Sequence, residues 1–149
     1  MTPLSWWASL AFRDDREAFY IRASEANMKA VTVCQPYAEL IARGDKVIEN
    51  RTWPTSYRGP LLIHAGKSRD WLDDEDEYLM PNMAFGAVVA TARLVACLDL
   101  RVKWWPPQWR HLRDNEHANG PWCWILEDVK RLPQPVSMRG AQGLWEASV

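Results

Sequence analysis

Pro36 and Gly44 bracket the segment "PYAELIARG", and this bracket constrains the chain more than any other feature of its sequence. Proline suits the first position of a helix, and glycine suits the residue just past its end. Between them Tyr37, Leu40 and Ile41 fall at i, i+3 and i+4, one apolar helical face. Ahead of the bracket "KAVTVCQ" (29–35) is a short β-branched strand, and behind it "VIENRTW" (47–53) reads as another. The expected unit is strand, short helix, strand.

The remainder continues in short pieces. A turn over 54–59 leads to the strand "PLLIHAG" (60–66), with Leu61, Ile63 and Ala65 on one face and Leu62 and His64 on the other. "SRDWLDDEDEYLM" (68–80) predicts an acidic helix capped by its early Ser and Asp, with Trp71, Leu72, Tyr78 and Leu79 as a buried stripe. Residues 85–100 are rich in Val and Ala and long enough for a bent or interrupted strand. Residues 103–120 read as a loop with one helical turn, 122–129 as a strand, 132–143 as a loop and 144–149 as a last strand. About six short strands with two or three helices predict an α+β domain with a mixed or closed sheet. Regular βαβ alternation and a Gly-rich phosphate loop are missing, which argues against a doubly wound nucleotide-binding fold.

Residues 1–27 read differently. Apolar "SWWASLAF" precedes charged "RDDREAFYIRASEAN", which predicts an N-terminal helical extension ending near Asn27, with Met28 opening the denser pattern of a domain over 28–149. The start has no basic n-region with a long apolar core, so a signal peptide is not expected, and no run of about 18 apolar residues predicts a membrane span. Cys34, Cys97 and Cys123 are widely spaced and odd in number, which fits neither a disulfide framework nor a C-x-x-C metal site; a cytoplasmic location is expected. His111 and His117, six apart with Glu116 between them, have no tight metal spacing. No metal and no cofactor is expected.

The net charge of −1 argues against a strongly basic nucleic-acid binder, but its distribution is uneven. Residues 28–69 hold seven Lys/Arg against three acids, while 70–80 hold six acids and no base. The first stretch can touch phosphate; the acidic run reads as a solvated face. Ten tryptophans supply core, and some could serve as stacking surfaces.

The reactive-looking groups gather in "GDKVIENRTWPTSYRGPLLIHAGK" (44–67). Glu49 and Arg51, two apart, share a strand face. Lys46 and Glu49, three apart, can meet only if Lys46 belongs to the turn and curls back. A charged Lys46 binds phosphate or a carbonyl oxygen; a neutral one acts as base or nucleophile. An ion network that merely closes the turn is the competing reading. Gln35 stands at the helix start, where free N–H groups favour anions, and its amide could read a base edge. Trp53 could stack a base or pack in the core, His64 suits a hydrogen-bonded position, and Lys67 could add a phosphate contact. Arg139 is a candidate rim contact, and Trp145 a barrel-core residue.

The G-x-K-x-x-E-x-R element of residues 44–51, with Gln35-Pro36 upstream and Arg58-Gly59-Pro60, Ile63-His64 and "GLWE" downstream, resembles the activating-signal-cointegrator homology (ASCH) domain, of the PUA-like group. The resemblance covers roughly residues 28–149. It implies a PUA-like mixed β-barrel with short flanking helices and a cleft beside the first helix. It also implies a partner that is RNA, another single-stranded nucleic acid or a modified nucleoside. Some relatives look like amidohydrolases acting on 4-acetylcytidine, one is described as a ribonuclease, and others are tied to coactivation. The alternatives to binding are therefore a hydrolase using Lys46 and Glu49, or a protein-interaction module using residues 1–27 and the Trp-rich loop 104–109. Where the amidohydrolases carry threonine, three residues after the motif lysine, this chain carries Glu49, which a hydroxyl role cannot survive unchanged. The expected site is Lys46 and Glu49 for chemistry, with Gln35, Lys46, Arg51, Trp53, His64 and Lys67 for binding.

Overall fold

A computed structural model describes residues 28–147. The expected N-terminal helical extension, 1–27, lies outside the described residues. Strand β1 spans Lys29–Val33 and helix α1 Tyr37–Arg43; β2 is Ile48–Arg51 and β3 Gly59–Ala65. Helix α2 is Asp74–Leu79, β4 Ala87–Asp99, a 3-10 turn Arg110–Asp114, β5 Trp122–Ser137 and β6 Leu144–Glu146. They form one six-stranded sheet in the order β2-β5-β4-β3-β1-β6. β1 and β3 run parallel and every other pair is antiparallel, so the sheet is mixed. β4 and β5 lose register at three places, between Val88 and Ala90, Thr91 and Arg93, and Leu94 and Ala96. Each irregularity adds bend and twist, and the sheet curls into a half-barrel. The expected mixed, barrel-like α+β architecture is what the chain adopts.

Alternation puts apolar side chains on both sheet faces. Val31, Val33, Leu61, Ile63 and Ala65 join α1, Trp124 and Leu126 in one cluster. Ala30 and Leu62 turn the other way, into a second cluster with Met28, Val88, Leu132 and Val136. A third, around Ile48, Trp105, Cys123 and Ile125, closes the far end beneath the Trp-rich loop.

Four local expectations are corrected. The helix buries Ala38, Ile41 and Ala42 rather than a Tyr37–Leu40–Ile41 face. Two alanines let the helix backbone approach the sheet, and Tyr37 is turned aside. The second strand stops at Arg51, so Trp53 lies in the following bend. The acidic helix is shorter than expected and buries nothing: Trp71, Tyr78 and Leu79 are 65%, 83% and 57% exposed. An Asp73–Asp76 capping box fixes its start, but six residues carrying four acids have too little apolar face to pack. Finally, "LPQPVS" is not loop but the second half of β5. Among the described residues β2 pairs only with Trp122–Ile125, while β4 follows β5 on to Ser137.

Candidate functional site

Gly44 sits at φ 84°, and the amides of Gly44, Asp45 and Lys46 close back on the carbonyls of Ile41 and Leu40 at 2.9–3.1 Å. This left-handed cap reverses the chain, and Lys46 falls in the connection before β2 rather than on it. Its side chain curls forward. Nζ donates to the Ile48 carbonyl and lies 3.6 Å from the Glu49 carboxylate. Arg51 donates to the other carboxylate oxygen at 3.0 Å and to the Thr32 carbonyl at 2.6 Å. One carboxylate is thus shared by two cations, leaving a local charge of +1. Lys46 and Glu49 are 2% and 8% exposed. Burial pulls the lysine pKa below its ordinary value, against the opposing pull of Glu49, so the amine lies nearer its neutral form than a surface lysine does.

These groups line a cleft of about 440 Å³. Thr32, Val33 and Cys34 contribute from the end of β1, and Tyr37 from the start of α1, its ring 5.8 Å from Lys46 Nζ. β2 supplies Glu49, Asn50 and Arg51. Trp71 enters from the acidic segment, and His117 and Asn119 from the loop before β5. The volume falls in the range of small-ligand sites, and the lining joins two aromatic rings to a few convergent polar groups. The pKa of His117 is lowered by burial and then by the charge of Lys46, so its imidazole is neutral at pH 7.

The other expected binding residues stand elsewhere. Gln35 is fully buried, accepting from Glu39 N at 2.9 Å and donating to Ala84 O at 2.8 Å, which spends its amide on pinning α1. Trp53 is half-buried and packs edge-on against Trp124, ring centres 5.0 Å apart. His64 lies on the opposite sheet face from Leu61 and Ile63. It bonds Thr32 Oγ1 at 3.2 Å and the Met138 carbonyl at 2.7 Å. Lys67 is exposed, with its stem laid over Gly86. Arg139 is exposed, and Trp145 is half-buried, donating to Thr32 Oγ1 at 3.2 Å. Among the described residues no group of His, Cys, Asp and Glu could hold a metal ion, and no helix is long and apolar enough to cross a membrane.

Of the lining residues the sequence pointed only to Lys46, Glu49 and Arg51; Tyr37, Asn50, Trp71, His117 and Asn119 are among those it did not single out for this cleft. Helical periodicity puts Tyr37 on the helix core face and Trp71 in a buried stripe. The spacing of His117 from His111 and Glu116 speaks only to metal ligation. Asn50 stands inside the G-x-K-x-x-E-x-R element, yet alternation directs attention to its neighbours. Its position between Glu49 and Arg51 was the available signal.

Compared with known proteins, residues 31–135 match the family model described as ASCH domain. The fold is similar to the crystal structure of ASCH from Zymomonas mobilis, with a TM-score of 0.50 and 15% sequence identity over 81% of this chain and 87% of that one. Two point-mutant structures of the same Zymomonas mobilis protein match with a TM-score of 0.49 and 15% identity, covering 81% of this chain and 88% and 90% of theirs. No curated protein sequence matches the chain.

Proposed function

The chain belongs to the ASCH domain family, whose PUA-like fold is generally RNA-binding, and from that premise we propose that its cleft binds one nucleoside unit, either free and modified or splayed out of single-stranded RNA. The observation that carries this reading is the convergence of Lys46, Glu49 and Arg51 in a cleft of about 440 Å³ with two aromatic side chains on its walls. Tyr37 and Trp71 offer faces on which a planar base stacks, an interaction worth about 1–3 kcal/mol per base. Lys46 and Arg51 offer N–H donors to carbonyl oxygens or one phosphate. Glu49, already shared between them, orders both cations. Lys67 and Arg58, exposed outside the cleft, are available to the backbone of a longer strand.

Fluorescence polarisation with single-stranded RNA and DNA at low salt, and calorimetry with cytidine and 4-acetylcytidine, test the proposal. Binding is expected for at least one class, and Lys46→Ala is expected to weaken it at least tenfold, about 1.4 kcal/mol. Dissociation constants above about 100 μM for every ligand at low salt would sink the reading.

The lowered pKa of Lys46 beside a carboxylate supports a second reading, a hydrolase in which the pair moves a proton to or from water or a ribose hydroxyl. Turnover of acetylated cytidine and of RNA by the wild type, Lys46→Ala and Glu49→Gln decides it. Equal rates for all three remove it.

A further inference from the structure

Asn50 lies between Glu49 and Arg51 on β2, and its carboxamide is spent mainly on one loop, with Cys123 Sγ on β5 a further donor to Oδ1 at 3.7 Å. Nδ2 donates to the His117 carbonyl at 2.8 Å, and Oδ1 accepts from Asn119 N at 3.0 Å and from Gly120 N at 2.7 Å. A single side chain thereby satisfies three backbone groups of the segment 117–120 and holds it against the cleft. The two side chains this segment presents to the cleft are His117 and Asn119.

On the other side of the cleft the cations are largely engaged, with Arg51 Nε alone among their nitrogens buried without a hydrogen-bond partner among the described residues. Lys46 is engaged by Ile48 O and Glu49, Arg51 by Thr32 O and Glu49. By contrast, no hydrogen bond within the chain engages the Asn119 carboxamide among the described residues, and His117 Nε2 has only the Glu116 carboxylate, 3.6 Å away. A carboxamide offers a donor and an acceptor side by side, and a neutral imidazole offers one of each. Phosphate presents acceptors alone and is served as well by the cations opposite. The complement of an amphoteric wall is a ligand edge that also alternates donor and acceptor, as the hydrogen-bonding edge of a nucleobase does.

We propose that the segment 117–120, fastened by Asn50, is the specificity wall of the cleft: His117 and Asn119 read the donor–acceptor edge of the base, and Asn50 is the positioning residue that sets their register. This rests on the nucleoside-binding reading above. It assigns choice among bases to a loop remote in sequence from the motif lysine, and affinity to the stacking rings and cations.

The experiment titrates the full chain with adenosine, cytidine, guanosine and uridine, following tryptophan fluorescence, for the wild type, His117→Ala, Asn119→Ala, Asn50→Asp and Asn50→Ala. The wild type is expected to separate best from worst base by about tenfold or more, the scale of one well-made edge contact. His117→Ala and Asn119→Ala are expected to compress that spread below about threefold. Asn50→Asp keeps the two accepted bonds and retains part of the spread, whereas Asn50→Ala loses it. That graded rescue separates positioning from general destabilisation, and the His117 and Asn119 variants decide the matter should Asn50→Ala fail to fold. A wild type that binds all four bases equally, or cleft variants that keep the wild-type ranking, overturns the specificity wall and leaves the nucleoside site standing. A wild type that binds no nucleoside and no RNA overturns both.

Discussion

Glu49 is the residue on which the cleft turns. It is buried and holds two cations, so removing it leaves an uncompensated amine whose own side chain is 3% exposed. Breaking a buried pair from one side costs about 3–5 kcal/mol, far more than the pair itself contributes. Glu49→Ala is therefore expected to lower unfolding stability by about 3 kcal/mol in urea titrations, and Lys46→Met in the same chain to restore part of that loss. Additive single losses would show that the two side chains do not couple. His64 makes a second residue-scale statement. Burial, foremost, lowers its pKa below the ordinary 6.5, so the folded chain holds the ring neutral while the unfolded chain protonates it. Between the folded pKa and about 6.5 the unfolded state binds more protons, and stability rises with pH. The loss on acidification below about pH 6.5 is expected to be shallower in His64→Gln, though not abolished, because the pKa of His117 is lowered in the same direction. Parallel stability curves for the two proteins between pH 5 and 7.5 would contradict this.

At the scale of elements, the helix bracket was legible because proline and glycine act through their own backbone geometry, and α1 starts and stops where they stand. Which face it buries was not legible: Ala38 and Ala42 beat Tyr37 and Leu40 because close approach to the sheet outweighs side-chain hydrophobicity. The acidic segment fails the opposite way, with an apolar stripe readable on paper whose Trp71, Tyr78 and Leu79 stay exposed. Carried in by its own connection, β6 is fastened through a relay in which Trp145 donates to Thr32 Oγ1, Thr32 meets His64, and His64 reaches Met138 O. Gly140 passes this relay closely. A Cβ there would sit 2.6 Å from His64 Cε1 and 2.7 Å from Thr32 Oγ1, both tied by hydrogen bonds and unable to yield cheaply. Gly140→Ala is expected to cost about 1–3 kcal/mol, and hydrogen exchange to accelerate first at β6 and its partner β1. Unchanged protection at Ala30 and Val31 would count against the relay.

The curled sheet as a whole brings the cleft together. β1 and β2 are separated by β5, β4 and β3 in the sheet, yet their ends meet across the half-barrel, where Arg51 bonds the Thr32 carbonyl. The charge map has the same scale. Two cations in the cleft share one carboxylate, and the residues beyond Trp71 are acidic, so the site cannot grip a long run of phosphates. Single-stranded RNA affinity is accordingly expected to fall with salt with a log–log slope of magnitude below about 3, since each phosphate neutralised on a single strand contributes about 0.7 and Lys46, Arg51, Arg58 and Lys67 can meet no more than about four. A slope of 5 or more would move the binding surface away from this cleft.

From its own residues the chain determined the pieces: a Pro–Gly bracketed helix, alternating strands, and a Lys–Glu–Arg spacing that meets only if a turn curls back. Those are local facts, carried by backbone geometry and by periods of 2 and 3.6 residues. Tertiary structure decided the rest: that Gln35 is spent on Ala84 and Glu39, that His64 faces away, and that Tyr37, Trp71, His117 and Asn119 complete the cleft. The reason is physical. A cleft is made where a curled sheet brings residues from distant parts of the chain to one place, and the curl comes from bulges in the β4–β5 ribbon, which no local period encodes.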